Sequence, residues 1–131
     1  MHVFVYGTLR KEFQNPVAKF LRKHSKFIGK GTAPGHLYDL GSFPGAVFNA
    51  HTSEVIHGEI YFIQKNTEAV LAALDRYEGI DDPNFDYYEK TEALIKVNNT
   101  SIKASVYNFK KSTVSFKKIE SGDYSSYLGN P

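Results

Sequence analysis

Apolar positions start almost at the first residue. Val3, Phe4, Val5 and Tyr6 form an unbroken run of β-formers, which predicts a strand buried on both faces. Gly7-Thr8 ends that run. Asn15-Pro16 reads as a helix start with proline in the first helical position, and Val17, Phe20, Leu21 and His24 follow at helical spacing. Phe27 to Leu40 carries several glycines and Pro34, a pattern for one or two irregular strands with a bulge. Phe43-Pro44-Gly45 reads as a turn. Val55 to Ile63 predicts a strong strand, with Ile56, Gly58, Ile60 and Phe62 on one side. Asn66 or Thr67 caps a second helix in this reading, with Glu68 in its first turn and Gly79 as its stop. Tyr87 to Val97 alternates and pairs through an Asn98-Asn99 turn with Ile102 to Phe109. Val114 to Ile119 is expected to add a last strand. Strands outnumber helices, and the helices are not spaced as βαβ units. The pattern predicts an α+β domain on a strongly curved sheet, closed or nearly closed as a barrel.

Composition narrows the chemistry. At 131 residues one domain is expected over 1–131, with 121–131 either part of it or a tail. Sixteen basic and 14 acidic side chains leave +2, a weak general attraction for nucleic acid or acidic membranes, so neither is expected as a partner. The absence of Cys excludes disulfides, thiolate nucleophiles and Cys-based metal sites. No apolar run approaches the roughly 20 residues that span a bilayer, and no export signal is apparent, so a cytoplasmic address is expected. His57 and Glu59, two apart on a strand, are too few to argue for a metal, and no cofactor is expected. Catalysis, if present, must come from carboxylates, hydroxyls, His, Lys or backbone amides.

Two features stand out. Val70, Leu71, Leu74 and Glu78 share one face of the second helix, the stripe that must meet the core. A carboxylate ending that stripe either points inward or escapes at the helix end. Pointing inward, burial and the helix dipole would both raise its pKa toward neutrality. The second feature is Tyr6-Gly7-Thr8-Leu9, where a buried strand breaks and successive amides leave the ladder. This is either a plain strand-end turn or an anion-binding nest. Tyr87, Tyr88, Tyr107 and Tyr124 offer phenol groups, although a strand tyrosine is more often a core residue with a wet tip.

Taken in order, Val5-Tyr6-Gly7-Thr8-Leu9-Arg10, Leu37-Tyr38, Phe43-Pro44-Gly45, Val55-Ile56-His57-Gly58-Glu59-Ile60-Tyr61 and Leu74-Asp75-Arg76-Tyr77-Glu78-Gly79 resemble the gamma-glutamylcyclotransferase-like family. The resemblance runs from Val3 to about Tyr107 and touches Gly122-Asp123-Tyr124. It implies a small mixed, mostly antiparallel β-barrel with a few peripheral helices and a cavity at its mouth. It implies a small γ-glutamyl substrate, held by Tyr6, Gly7, Thr8 and Leu9, with Glu78 as the catalytic glutamate. Tyr88, or its neighbour Tyr87, resembles the pocket tyrosine, and Tyr124 a C-terminal aromatic that closes the pocket. The loop Ile80 to Asp86 is longer than the family pattern. The implied reaction releases an amine and closes 5-oxoproline without a cofactor. The alternative is a binding or regulatory module on the same fold without turnover.

Overall fold

The computed structural model describes residues 1–129. In chain order the elements are β1 (His2–Val5), α1 (Pro16–His24), β2 (Ser25–Asp39), β3 (Pro44–Phe48), β4 (Val55–Ile63), α2 (Thr67–Tyr77), β5 (Tyr88–Val97), β6 (Thr100–Phe109), β7 (Lys117–Lys118) and α3 (Tyr124–Tyr127). The strands run β3-β2-β4-β1-β6-β5, and a further β2–β5 pairing at Thr32↔Lys96 joins the ends. Strands β2, β4, β1, β6 and β5 thereby close a five-stranded barrel, with β3 and β7 added along the far half of β2. Only β1 and β6 pair in parallel; the other pairings are antiparallel. The expected mixed barrel with few helices is the fold observed.

The long second strand makes closure possible. It is one continuous strand with a register shift between Phe27 and Gly29, where it bends. At the closing seam Gly31 faces β5 so closely that a Cβ there would lie 2.7 Å from Ile95 Cγ2. A side chain at that position would hold the seam open. Strands β5 and β6 meet through a two-residue turn, with Asn98 in the left-handed region (φ 55°), as the Asn-Asn pair predicts.

Two apolar clusters share one sheet. Phe4, Ala33, Ile56, Ile60, Ile95 and Val106 fill the barrel, while Val3, Val5, Leu21, Val70 and Leu74 pack between its outer wall and α1 and α2. Strand β1 feeds both: Phe4 and Tyr6 point in, Val3 and Val5 point out. That double burial explains why its sequence does not alternate.

Four local expectations need correction. The turn lies at residues 41–43, and Pro44 opens β3, where proline is tolerated at a strand's first residue. Phe62 is exposed although Ile56, Gly58 and Ile60 are buried, because beyond Ile60 the strand runs past the barrel interior. Asn66 precedes α2 in a left-handed conformation, and no side chain caps the helix. The last strand shrinks to Lys117–Lys118, and Val114 is exposed. Residues 121–129 lie on the fold: His57 donates its amide to Gly122 O at 2.8 Å, and Tyr124 is buried. The last two positions of the 121–131 segment fall outside the described residues. No described helix is long and apolar enough to cross a membrane.

Candidate active site

A cavity of about 140 Å³ opens where β1 ends beside the C-terminus of α2. Its wall includes Tyr6, Gly7, Thr8, Leu9, Glu78 and Tyr88, residues the family resemblance points to, together with the candidate Tyr107. Tyr124 is absent from the wall; it sits behind, buried and stacked on Phe13 with ring centroids 6.4 Å apart.

Glu78 reaches the cavity through the geometry of its helix. Val70 is fully buried and Leu74 nearly so, and this stripe turns the end of α2 toward the barrel. Gly79 then takes φ 73°, the left-handed C′ geometry that stops the helix. A Cβ on Gly79 would lie 2.7 Å from the Phe85 carbonyl, so the following loop folds back tightly there. Asp75 ties the same helix to the barrel. It accepts from the Tyr107 hydroxyl at 2.6 Å and pairs with Lys90 at 2.9 Å. Burial raises the Glu78 pKa to about 8, and among the described residues no donor or cation offsets it. Near neutral pH this carboxyl therefore exists in both protonation states.

Opposite lies the strand end. Among the described residues, the amides of Gly7, Thr8 and Leu9 donate to no protein acceptor. The turn around them is closed by Arg10 N–H to Gly7 O at 3.1 Å, and Asn15 donates its side-chain amide to Thr8 O at 2.7 Å. Asn15 also caps α1 by accepting from Ala18, so one side chain fixes both the helix start and the loop. The Thr8 hydroxyl lies 2.8 Å from that of Tyr77. Amides without a protein acceptor at a strand end are the kind of donor array that a carboxylate or an oxyanion can use.

The tyrosines line the site with their protons already engaged. Tyr6 donates to Tyr107 O at 2.7 Å, Tyr88 to Pro44 O at 2.6 Å, and Tyr107 to Asp75. Burial, helped by the nearby Glu78 charge, pushes the Tyr6 and Tyr88 phenols well above their usual range. All are neutral at physiological pH; Tyr88 is left with an oxygen rather than a proton to offer a ligand, while the Tyr6 oxygen already accepts from Ala46 N–H at 3.3 Å. Between the two adjacent candidates, Tyr88 lines the cavity, while Tyr87 is partly exposed and packs on Phe43 and Phe85. The loop after Gly79 contributes Phe85, and the β2–β3 connection contributes Ser42 and Phe43. The loop Ile80 to Asp86 is the one that sequence reading expects at the pocket mouth, whereas Ser42, Phe43 and Tyr77 are not singled out, because nothing local marks them as a pocket wall. His57 and Glu59 take separate uses: His57 faces a different groove, and Glu59 is buried beneath the loop that follows the free amides.

The fold is thus a small closed mixed β-barrel whose cavity is lined by an acidic helix end and a strand-end loop with free amides. Residues 3–126 match the family model described as gamma-glutamyl cyclotransferase, AIG2-like, and the chain belongs to that family. It is 35% identical over 130 residues to a provisionally named gamma-glutamylcyclotransferase of Methanocaldococcus jannaschii, covering 98% of both chains. It is 33% identical over 125 residues to the gamma-glutamylcyclotransferase family protein YtfP of Escherichia coli, covering 95% of this chain and 96% of that one. The crystal structure of YkqA from Bacillus subtilis superposes with a TM-score of 0.72 at 28% identity, over 97% of this chain and 40% of YkqA.

Proposed function

We propose that this protein is a cyclotransferase that releases an amine from a γ-glutamyl amide and forms 5-oxoproline. The observation that carries the reading is the pairing within one cavity of a carboxyl with pKa about 8 and three unengaged backbone amides. The substrate supplies both reacting groups. Its α-amine nitrogen attacks its γ-carbonyl carbon, forming a C–N bond and placing negative charge on the carbonyl oxygen. Glu78, ionised, accepts the proton that the attacking amine loses. Protonated, it returns that proton to the leaving nitrogen as the original amide C–N bond breaks. Amine and 5-oxoproline leave, and Glu78 is again ionised. The Gly7, Thr8 and Leu9 amides receive the carbonyl oxyanion or the substrate α-carboxylate. The oxygen of Tyr88 accepts from the substrate amine. Folding the substrate so that amine and carbonyl meet is itself a large contribution, several kcal/mol in general. No step calls for a metal or an organic cofactor.

The test is a panel of γ-glutamyl amides and peptides assayed for free amine and 5-oxoproline, with Glu78→Gln as control. Stoichiometric release by the wild type and its loss in the variant support the reading. Release at the wild-type rate by folded Glu78→Gln removes Glu78 from the chemistry. Thermal stabilisation by these amides with no product would make the protein a binding module.

A further inference from the structure

Beside the cavity lies a buried charge cluster that the proposed reaction does not use. Arg10, only 6% exposed, places Nη1 2.9 Å from Asp123 Oδ1 and Nε 3.7 Å from Glu59 Oε2. Glu59 is 1% exposed, and its other oxygen accepts from the Lys11 amide at 2.8 Å and from the Tyr61 hydroxyl at 3.0 Å. The Arg10 carbonyl accepts from Phe13 N–H at 3.0 Å, and its amide closes the turn onto Gly7 O. Glu12 adds a third carboxylate 3.9 Å from Arg10 Nε, and burying a cation among carboxylates is weak as a source of stability, since desolvation offsets the attraction. Its structural effect here is specific. The three free amides lie between Tyr6, whose hydroxyl bonds Tyr107 O, and Arg10, whose guanidinium bonds Asp123 before α3 and lies within ion-pair range of Glu59 on β4, with Arg10 Nε and Glu59 Oε2 left without a hydrogen-bond partner among the described residues.

We infer that Arg10, Glu59 and Asp123 are positioning residues, a buried clamp that fixes the Gly7–Leu9 amides in register with Glu78. The clamp rests on the cyclotransferase reading for its catalytic consequence, but not for its effect on the loop. It spans three separate parts of the chain, so the C-terminal segment bears on the site through Asp123, while its aromatic Tyr124 lies off the cavity wall. Displacing oxyanion or carboxylate donors by about an ångström is expected to lower turnover by about 100-fold.

Two variants separate clamping from plain stability. Arg10→Met keeps the bulk of the side chain but strands a buried carboxylate, so its unfolding midpoint falls. Adding Glu59→Gln removes that stranded charge, and the midpoint of the double variant recovers. The clamp requires that the double variant, though stable, keeps displaced backbone resonances for Gly7, Thr8 and Leu9, with α2 resonances unmoved. With a γ-glutamyl amide that the wild type turns over, its kcat/KM stays about 100-fold low. Recovery of wild-type loop resonances and turnover along with stability would overturn the inference. If the wild type turns over none of the amides, the cyclotransferase reading fails by itself, and the loop resonances of the double variant still decide the clamp.

Discussion

Replacing Glu78 by Gln should make the protein more stable at neutral pH, by an amount that depends on pH in a defined way. The folded state holds the Glu78 proton with a pKa of about 8, against an ordinary 4.5. Below pH 4.5 the carboxyl is neutral in both folded and unfolded chains, and burial costs it little. As pH rises from 4.5 toward 8, the unfolded chain gives up its proton while the folded one keeps it. The folded state then binds more protons than the unfolded, so stability falls with pH across that window. At about 1.4 kcal/mol for each tenfold change in proton affinity, the full effect is bounded at about 5 kcal/mol. About 3 kcal/mol of it is already lost at pH 7. Solvent reaching the carboxyl through the cavity mouth reduces both figures. Gln has the same shape and no proton to lose. Urea unfolding of both proteins from pH 4.5 to 9 gives the difference directly, because every other titrating group cancels between them. The Gln variant should match the wild type near pH 4.5 and gain on it steadily until about pH 8. A difference that stays constant over that range, or one that favours the wild type as pH rises, would refute the claim that the half-buried Glu78 is desolvated without a compensating partner.

Three further outcomes follow from the site. If Glu78 acts first as a base, kcat/KM for a γ-glutamyl amide rises with pH through a midpoint near pH 8; a flat profile from pH 6 to 9 argues against that role. Gly79→Ala forces a Cβ into the left-handed region and against the Phe85 carbonyl, so urea unfolding should register a loss of about 1–3 kcal/mol. Tyr88→Phe leaves Pro44 O without its buried donor at a cost of about 1–3 kcal/mol, seen as a lower thermal midpoint, and it raises KM by removing an oxygen from the cavity wall.

The order of the elements was legible because it rests on local periodicity. The unbroken run Val3 to Tyr6, the Asn15-Pro16 start and the Val70, Leu74, Glu78 stripe each state which faces must be buried, and each element forms as its pattern requires. The site was legible in part for the same reason. A carboxylate that ends a buried stripe has few directions to point, and amides freed at a strand end have no ladder left to join. The misses share a different cause. Glu59 sits in an alternating strand pattern and looks like a solvated residue, yet Arg10 and the Lys11 amide make burial tolerable from across the fold. Phe43 and Tyr77 become cavity walls only when a loop and a helix end converge. Tyr124 resembles a pocket residue in sequence, but stacking on Phe13 holds it behind the wall.

Local patterning thus yields the list of elements, their apolar faces and the two features from which a site can be built. Tertiary structure decided how the ends of the sheet meet, at Thr32 and Lys96, and that closure brings the end of β1 and the end of α2 to one cavity. It also decided which polar groups are left unpaired there. Periodicity is a property of neighbours along the chain, whereas desolvation of Glu78 and the free amides of Gly7 to Leu9 depend on what the rest of the chain places around them. The pKa that suits Glu78 to proton transfer comes from that enclosure and from no residue beside it in sequence.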